Sequence, residues 1–193
     1  MRYTAAMRER ESGFTLIEMM VTLAVISILA VIVMPSFFRE SRKTRAFSEV
    51  QPLFNDLRVK LEEFLQERGT YPPTIGEGVL HPAALPDGTL HVLNSTTVFL
   101  PQAWLDIKVR ISGNNQVYCG YTWATGLANK DDNVGPIAKA SATAIPPVGF
   151  GFVAPATDWY YLLAQCDMDG DGSFSYYFSS SIDHRIQKLN EGN

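Results

Sequence analysis

Residues 13–38 read GFTLIEMMVTLAVISILAVIVMPSFF, an apolar segment that begins directly after a glycine. From Phe14 to Phe38 the only ionisable side chain is Glu18. A helix rises about 1.5 Å per residue, so roughly 20 apolar residues cross a hydrocarbon core of about 30 Å. The segment is therefore long enough to span a membrane as a helix.

The position of Gly13 distinguishes this segment from a secretory signal peptide. A signal peptide is cut at small residues after its apolar stretch, whereas the glycine here precedes the stretch. Cleavage at Gly13 removes residues 1–13 and leaves the apolar segment on the mature chain. The alternative is a plain single-pass anchor with Glu18 near the lipid headgroups, which gives no reason for a glycine at this position.

These N-terminal residues resemble the processing site of type IV pilins and type II secretion pseudopilins. The resemblance is carried by Gly13, Phe14 and Glu18, followed by apolar residues as far as Met34. It implies that prepilin peptidase cuts between Gly13 and Phe14 and methylates the new amine of Phe14. It also implies further partners, which are copies of this chain and other pilins in a helical filament, and an inner-membrane assembly platform. The implied roles are adhesion, motility, uptake or secretion, in an extracellular pilus or a periplasmic pseudopilus.

Glu18 lies deep in the apolar segment and needs a partner. An ionisable group at such a depth costs roughly 2.5–3.5 kcal/mol on insertion scales. The predicted partner is the α-amino group of Phe14 on a neighbouring subunit, because pairing neutralises both charges as subunits enter a filament. A polar group in an apolar interface between helices also fixes how the helices align along their length. The sequence therefore predicts an assembly role for Glu18.

The overall charge gives no basis for general nucleic-acid binding, since the net charge of the 193 residues is −4. A basic cluster, Arg39, Arg42, Lys43 and Arg45, nevertheless follows the apolar segment. We interpret it as a helix face that is solvated or contacts lipid headgroups, with DNA binding as the minor alternative. Because this cluster outweighs the arginines of residues 1–13, the positive-inside rule does not orient the segment. The resemblance places the leader in the cytoplasm and the rest outside.

Apolar residues continue at helical spacing beyond the membrane segment. They are Phe47, Val50, Phe54, Leu57, Leu61 and Phe64. Intervals of three and four predict one face of a helix, with Glu49 among the charged residues on the solvent face. A helix is therefore expected from Phe14 to about Arg68, with bends or local melting near Pro35 and Pro52.

The chain after the helix predicts a β-rich head. Gly69, followed by prolines, ends the helix. Alternating apolar and charged residues predict a strand over 105–111. A turn at residues 113–115 is expected to join it in a hairpin to a second strand over 117–124.

Further along the chain, residues 159–166 and 173–179 are rich in aromatic residues and predict a second hairpin. Residues 130–147 predict a long surface loop. The expected fold class is α+β, a long helix packed on an antiparallel sheet. The expected division is a cleaved leader (1–13), a transmembrane and polymerisation helix (14–38), an amphipathic continuation (39–68) and a globular head (69–193).

Two cysteines, Cys119 and Cys166, lie beyond the membrane segment. The resemblance places this part of the chain outside the cytoplasm, where a single disulfide forms and persists. The alternative is a pair of buried thiols.

Asp167, Asp169 and Asp171, together with Gly170 and Gly172, match the opening of a calcium loop. Phe178 stands at the twelfth position, where an EF-hand needs a bidentate glutamate, so an EF-hand is rejected. Two alternatives remain, a calcium-stabilised hairpin loop completed by backbone carbonyls or Asp183, and a solvated Asp-Gly turn. Calcium is the one cofactor that the sequence suggests.

The sequence carries no Walker loop, no Gly-x-Ser-x-Gly elbow and no His-Glu-x-x-His pair. We therefore expect a structural subunit and not an enzyme. A major pilin, a minor or priming pilin and a secretion pseudopilin share the processing motif. The alternative from another class is a membrane-anchored binding module that does not polymerise.

Overall fold

The computed structural model describes residues 13–82, 86–92, 102–109, 116–139 and 149–191. The chain divides into two compact units, of which the first ends at Phe38 and the second begins at Arg39. Its elements are α1 (Leu16–Arg68), β1 (His91–Val92), α2 (Gln102–Asp106), β2 (Gln116–Val117), β3 (Gly120–Gly126), α3 (Pro136–Lys139), β4 (Trp159–Cys166), β5 (Ser175–Ser180) and β6 (Gln187–Leu189). The predicted α+β class is confirmed.

Both ends of α1 have local causes. Thr15 caps its first turn, as described below, and Gly69 follows its last residue in the left-handed region at φ 75°. The Gly69 N–H donates to the Leu65 carbonyl at 2.7 Å, so the predicted glycine cap is confirmed. The predicted local melting is not seen, because α1 continues through Pro35 and Pro52. A proline removes only one backbone donor, and the flanking residues stay helical.

The first part of α1, up to Phe38, exposes apolar side chains all round. Phe14, Leu16 and Val31 are each more than 70% exposed, and the charged group among them is Glu18. By length and composition this part of the helix can cross a membrane. An all-round apolar surface is typical of a helix that is covered by lipid or by other helices.

Four strands form an antiparallel sheet in the order β3-β4-β5-β6. β4 and β5 pair with Leu163 opposite Phe178, which confirms the predicted second hairpin. β3 pairs with β4, placing Trp123 opposite Leu162. β1 and β2 form a separate two-stranded pair.

One face of this sheet is covered by the second part of α1. Buried residues of the predicted apolar stripe pack there against side chains of β3, β4 and β5. The helix contributes Val50, Phe54, Leu57, Leu61 and Phe64, and the sheet contributes Tyr121, Trp123, Tyr160, Leu162 and Tyr177. The predicted packing of the stripe on the sheet is confirmed.

The other face of the sheet carries a second apolar cluster. The Phe150 ring stacks on Phe178 at 4.8 Å, and the Phe152 ring lies edge-on to Trp159 at 5.3 Å. Every residue of β4 is consequently buried. A strand covered on both faces is a near-continuous apolar run, which is what residues 159–166 show.

The predicted strand over 105–111 is wrong. Gln102–Asp106 form α2, a turn follows, and residues 110–111 lie outside the described residues. Trp104 and Ile107 are both buried, and their spacing of three puts them on one side of a helical turn. Burial of the Trp104 ring, which strand alternation does not predict, favours the helix.

The predicted hairpin across residues 113–115 is also wrong. β2 pairs with β1, and β3, which begins at Gly120, pairs with β4. Between β2 and β3, the N–H groups of Tyr118 and Cys119 donate to the Glu49 carboxylate, which interrupts the segment predicted as one strand. The turn residues themselves lie outside the described residues.

The predicted loop over residues 130–147 contains a short helix. Pro136–Lys139 form α3, and Ala138 is buried in the second apolar cluster. The Glu77 carboxylate accepts two backbone N–H groups of this helix, at 2.7 and 2.9 Å. The rest of the predicted loop, residues 140–147, lies outside the described residues.

Candidate functional site

The predicted cleavage bond between Gly13 and Phe14 lies just outside α1. Both residues are exposed and precede the first helical residue, Leu16. A protease needs its substrate in an extended, accessible conformation, and residues already in a helix do not offer one. The described geometry therefore presents this bond in a form that a peptidase can reach.

Thr15 and Glu18 form a reciprocal cap at the start of α1. The Thr15 N–H and hydroxyl donate to Glu18 Oε2 at 2.8 and 2.9 Å, and the Glu18 N–H donates to Thr15 Oγ1 at 3.3 Å. This is a capping box, in which residues three apart satisfy donors that the first turn leaves free. The Thr-x-x-Glu spacing is visible in the sequence, although we did not predict the cap from it.

The cap involves only one oxygen of the Glu18 carboxylate. Both donors from Thr15 reach Oε2, so within the described residues Oε1 is left for another donor. The local cap and a contact with a second subunit are therefore compatible. The predicted pairing of Glu18 with the amine of a neighbouring Phe14 stays a prediction.

The basic cluster after the apolar segment is largely engaged within the second unit. Arg42 forms an ion pair with Asp169, which lies in the loop between β4 and β5 that carries Asp167, Asp169 and Asp171 (the acidic loop). The guanidinium of Arg45 lies 4.1 Å from the centre of the Tyr118 ring, and Lys43 Nζ lies 3.5 Å from a Glu40 oxygen. These contacts engage three of the four cations, and the side chain of Arg39 lies outside the described residues. The interpretation of the cluster as a solvated or headgroup-contacting face stays a prediction.

Glu49 joins α1 to the start of the sheet. Its carboxylate accepts the N–H groups of Tyr118 and Cys119 at 2.9 Å each and the Tyr121 hydroxyl at 2.8 Å. Burial raises the pKa of Glu49 above its ordinary value of 4.5, although these hydrogen bonds and Arg45 act to lower it. The prediction that Glu49 faces solvent is wrong, because this position borders the buried stripe and the side chain turns inward.

Cys119 and Cys166 are joined in a disulfide, and both are buried. The bridge links the residue directly before β3 to the last residue of β4 and closes a loop with a sequence separation of 47. Of the two alternatives left by the sequence, the structure contains the bridge. It lies beside the Glu49 contacts, so helix, disulfide and sheet meet at one place.

The acidic loop brings Asp167, Asp169 and Asp171 together, with one carboxylate oxygen of each within 4.8 Å of the others. Asp167 is buried, and its two oxygens accept backbone N–H groups of Gly170 and Gly172 at 2.7 and 2.9 Å. These bonds are those of a tight Asp-Gly turn.

A calcium ion at this loop requires rearranged contacts. Asp169 pairs with Arg42, so the ion has to compete with a guanidinium for that carboxylate. Asp183, the other suggested ligand, pairs with Arg185 at 2.9 Å. Calcium binding stays a prediction.

Residues 8–34 match the family model described as the prokaryotic N-terminal methylation motif. We found no match to the chain among curated proteins or solved structures. The matched residues include the exposed Gly13–Phe14 bond, the Thr15–Glu18 cap and most of the apolar part of α1. This motif points to a structural subunit anchored in the inner membrane before assembly. The chain thus carries the N-terminal signature of the prepilin-type precursors of type IV pilins and pseudopilins.

Proposed function

We propose that this chain is the precursor of a subunit of a type IV pilus-like filament. Prepilin peptidase removes residues 1–13 and methylates Phe14, residues 14–38 form the membrane and polymerisation helix, residues 39–68 continue it, and residues 69–193 form the head. One observation carries the proposal. The methylation motif contains an exposed predicted cleavage bond, which lies directly before a helix with an all-round apolar surface.

That apolar surface supports storage in the membrane followed by polymerisation. A continuous apolar surface of this length is unstable in water and needs lipid or protein around it. In the inner membrane lipid covers it, and in a filament the helices of neighbouring subunits do so. Growth of a filament requires a heterologous interface that does not close on itself. An assembly platform in the membrane transfers subunits from one environment to the other.

The first experiment is intact-mass spectrometry of the polypeptide in sheared surface filaments and in membranes. We expect a chain that lacks residues 1–13 and has gained one methyl group. Abundance of this form in the sheared fraction identifies a major pilin. A processed form confined to membranes or present in traces identifies a minor pilin or a secretion pseudopilin. An uncut chain contradicts the proposal.

A charge-specific test of assembly uses Glu18→Gln. Glutamine keeps the capping box with Thr15, since either residue serves at this position, but it removes the negative charge. We expect the variant to be inserted and processed normally but to be lost from filaments. Glu40→Gln is the matched control, since Glu40 lies on the same helix beyond the apolar segment. Normal assembly of Glu18→Gln refutes the charge role and favours a simple anchor for a binding module.

A further inference from the structure

A solvent-open cleft of about 410 Å³ lies where the end of α1, the chain after it and the end of β3 meet. Its apolar lining includes Phe64, Tyr71 and Pro72, and its polar lining includes Arg68, Asn133 and Asp158. Ligand pockets in proteins span roughly 300–1,000 Å³ and combine an apolar floor with a few polar groups. The cleft therefore has the size and composition of a site for a small ligand.

The apolar floor is held in place by contacts with neighbouring side chains. The Thr125 hydroxyl donates to the Pro72 carbonyl at 2.8 Å, and the Tyr71 ring lies edge-on to Tyr160 at 5.1 Å. The Tyr71 hydroxyl donates to a Glu62 oxygen at 3.1 Å. A floor that is already ordered lowers the entropic cost of binding.

Arg68 supplies hydrogen-bond donors to the cleft. Its guanidinium lies 4.6 Å from the centre of the Phe64 ring, which is within the range of a cation–π contact. Within the part of the chain that the structure describes, Arg68 has no ion-pair partner. Its N–H groups are therefore available to a ligand.

Asp158 and Asn133 supply acceptors to the same cleft. Asp158 Oδ1 accepts the Ala128 N–H at 3.0 Å, and Asn133 Nδ2 donates to the Thr125 carbonyl at 2.8 Å. These bonds orient both side chains and use one polar atom of each. Within the described ranges, no hydrogen bond uses the second carboxylate oxygen of Asp158 or the amide oxygen of Asn133, so both oxygens can accept from a ligand.

We propose that this cleft binds a neutral sugar. A simple anion is attracted by Arg68 but repelled by Asp158, and a cation is affected in the opposite way. In a neutral sugar the hydroxyl groups both donate and accept, and the C–H face packs on aromatic and proline side chains. The cleft lies at the small end of the usual range and accommodates a monosaccharide or disaccharide. The proposal does not depend on filament assembly.

The test is saturation-transfer NMR on the full chain, purified in a detergent whose headgroup is not a sugar. The probes are galactose, mannose and N-acetylglucosamine, each free and as the methyl glycoside, which resembles a unit at the end of a glycan. Sialic acid and glucosamine serve as the charged comparison. We expect at least one neutral probe to bind better than both charged ones. Preference for the free or the glycosidic form tells which source of sugar the cleft takes.

Two variants locate the binding site. Arg68→Met keeps an unbranched side chain over Phe64, and Asp158→Asn keeps the acceptor for the Ala128 N–H. Each is expected to weaken sugar binding at least about tenfold with an unchanged melting temperature. Arg185→Met, outside the cleft, is expected to bind normally. Absence of binding by every neutral probe, tighter binding of a charged one, or unchanged binding in both cleft variants overturns the proposal.

Discussion

Two glutamates on the same helix are stabilised in different ways. Glu18 lies in the apolar part of α1 and is held by a contact within its own turn, with Thr15. Glu49 lies in the second part and is held by groups more than sixty residues away in sequence, such as the N–H of Tyr118. The first contact follows from the local sequence, and the second exists only in the folded head.

Replacing Glu49 by alanine is expected to destabilise the head by about 2–4 kcal/mol. The change leaves two backbone N–H groups and the Tyr121 hydroxyl without their acceptor in a largely buried place. Glu49→Gln is expected to cost less, because the amide oxygen can replace Oε1. Chemical denaturation, monitored by tryptophan fluorescence, measures the free energy of unfolding, since all three tryptophans lie in the second unit. Exposed Glu67→Ala is the control, and equal stability of Glu49→Ala and this control contradicts the prediction.

Gly13→Leu is expected to prevent removal of residues 1–13. The bulky side chain obstructs a peptidase site that accepts glycine, whereas a Cβ at Gly13 has no atom of the described chain within 4 Å. The substitution therefore tests recognition and not folding. Intact-mass spectrometry of membranes is expected to show the uncut chain at normal abundance, and efficient cleavage of the variant contradicts the prediction.

The helix α1 combines two surfaces in one continuous element. Its first part is apolar all round, and its second part is apolar on the single face that packs on the sheet. The change occurs near the boundary at Phe38, where the first compact unit ends. The two parts therefore bury their apolar residues by different means, and only the second contributes to the core of the head.

Phe54→Ala is expected to destabilise the head by about 3–5 kcal/mol, because it opens a cavity under a fully buried ring. Val59→Ala is the control on the same helix, since Val59 is 53% exposed, and its expected effect is within about 0.5 kcal/mol. Denaturation midpoints of the two variants provide the comparison. Similar losses in both refute the packing of the stripe on the sheet.

The acidic loop between β4 and β5 is the element where a metal was predicted. Extracellular calcium sites bind with dissociation constants of roughly 10⁻⁴–10⁻³ M, so 10 mM calcium is expected to stabilise the head by about 1–3 kcal/mol. Arg42→Met removes the competing cation from Asp169 and is expected to increase the effect, whereas Asp169→Asn decreases it. Thermal denaturation with calcium, magnesium or chelator measures this. No calcium effect in either the wild type or Arg42→Met establishes the plain Asp-Gly turn.

In the whole molecule, groups with opposite pKa shifts set the dependence of stability on pH. Hydrogen bonds from Thr89 lower the pKa of Asp87 to about 2, and Arg185 lowers that of Asp183. Their contribution is present above pH 3.8 and is lost as the pH falls through the folded-state pKa. Burial lowers the pKa of His81, whose contribution is present above pH 6.5 and is lost on acidification.

Glu49 acts in the opposite direction, because burial raises its folded-state pKa. Its contribution is present below pH 4.5 and is lost as the pH rises through the raised value. Comparing the wild type with Glu49→Gln cancels the effects of His81 and the aspartates. We expect the wild type to lose stability relative to this variant as the pH increases from 4.5 to 7. If the stability difference between the two proteins is constant with pH, or changes in the other direction, the raised pKa of Glu49 is refuted.

The sequence by itself determined the features that depend on neighbouring residues. The apolar segment, the glycine before it and the helical spacing from Phe47 to Phe64 are all local patterns, and α1 follows them closely. The aromatic strands of the second hairpin were also predictable, because a strand buried on both faces is a near-continuous apolar run, as residues 159–166 are. The predicted cleavage bond and Glu18 belong to the same local pattern, which is why the candidate processing site could be named before the fold.

Only the tertiary structure decided which residues meet across the head. Residues 102–106 are helical because Trp104 finds space beside Trp123, at 5.0 Å between ring centres, and short-range alternation carries no information about that space. The Glu49 carboxylate turns inward because donors from β3 and the turn before it converge there. The cleft at Arg68 likewise combines residues from three distant segments. These outcomes depend on contacts far apart in sequence, and such contacts override local preference wherever burial is worth more than propensity.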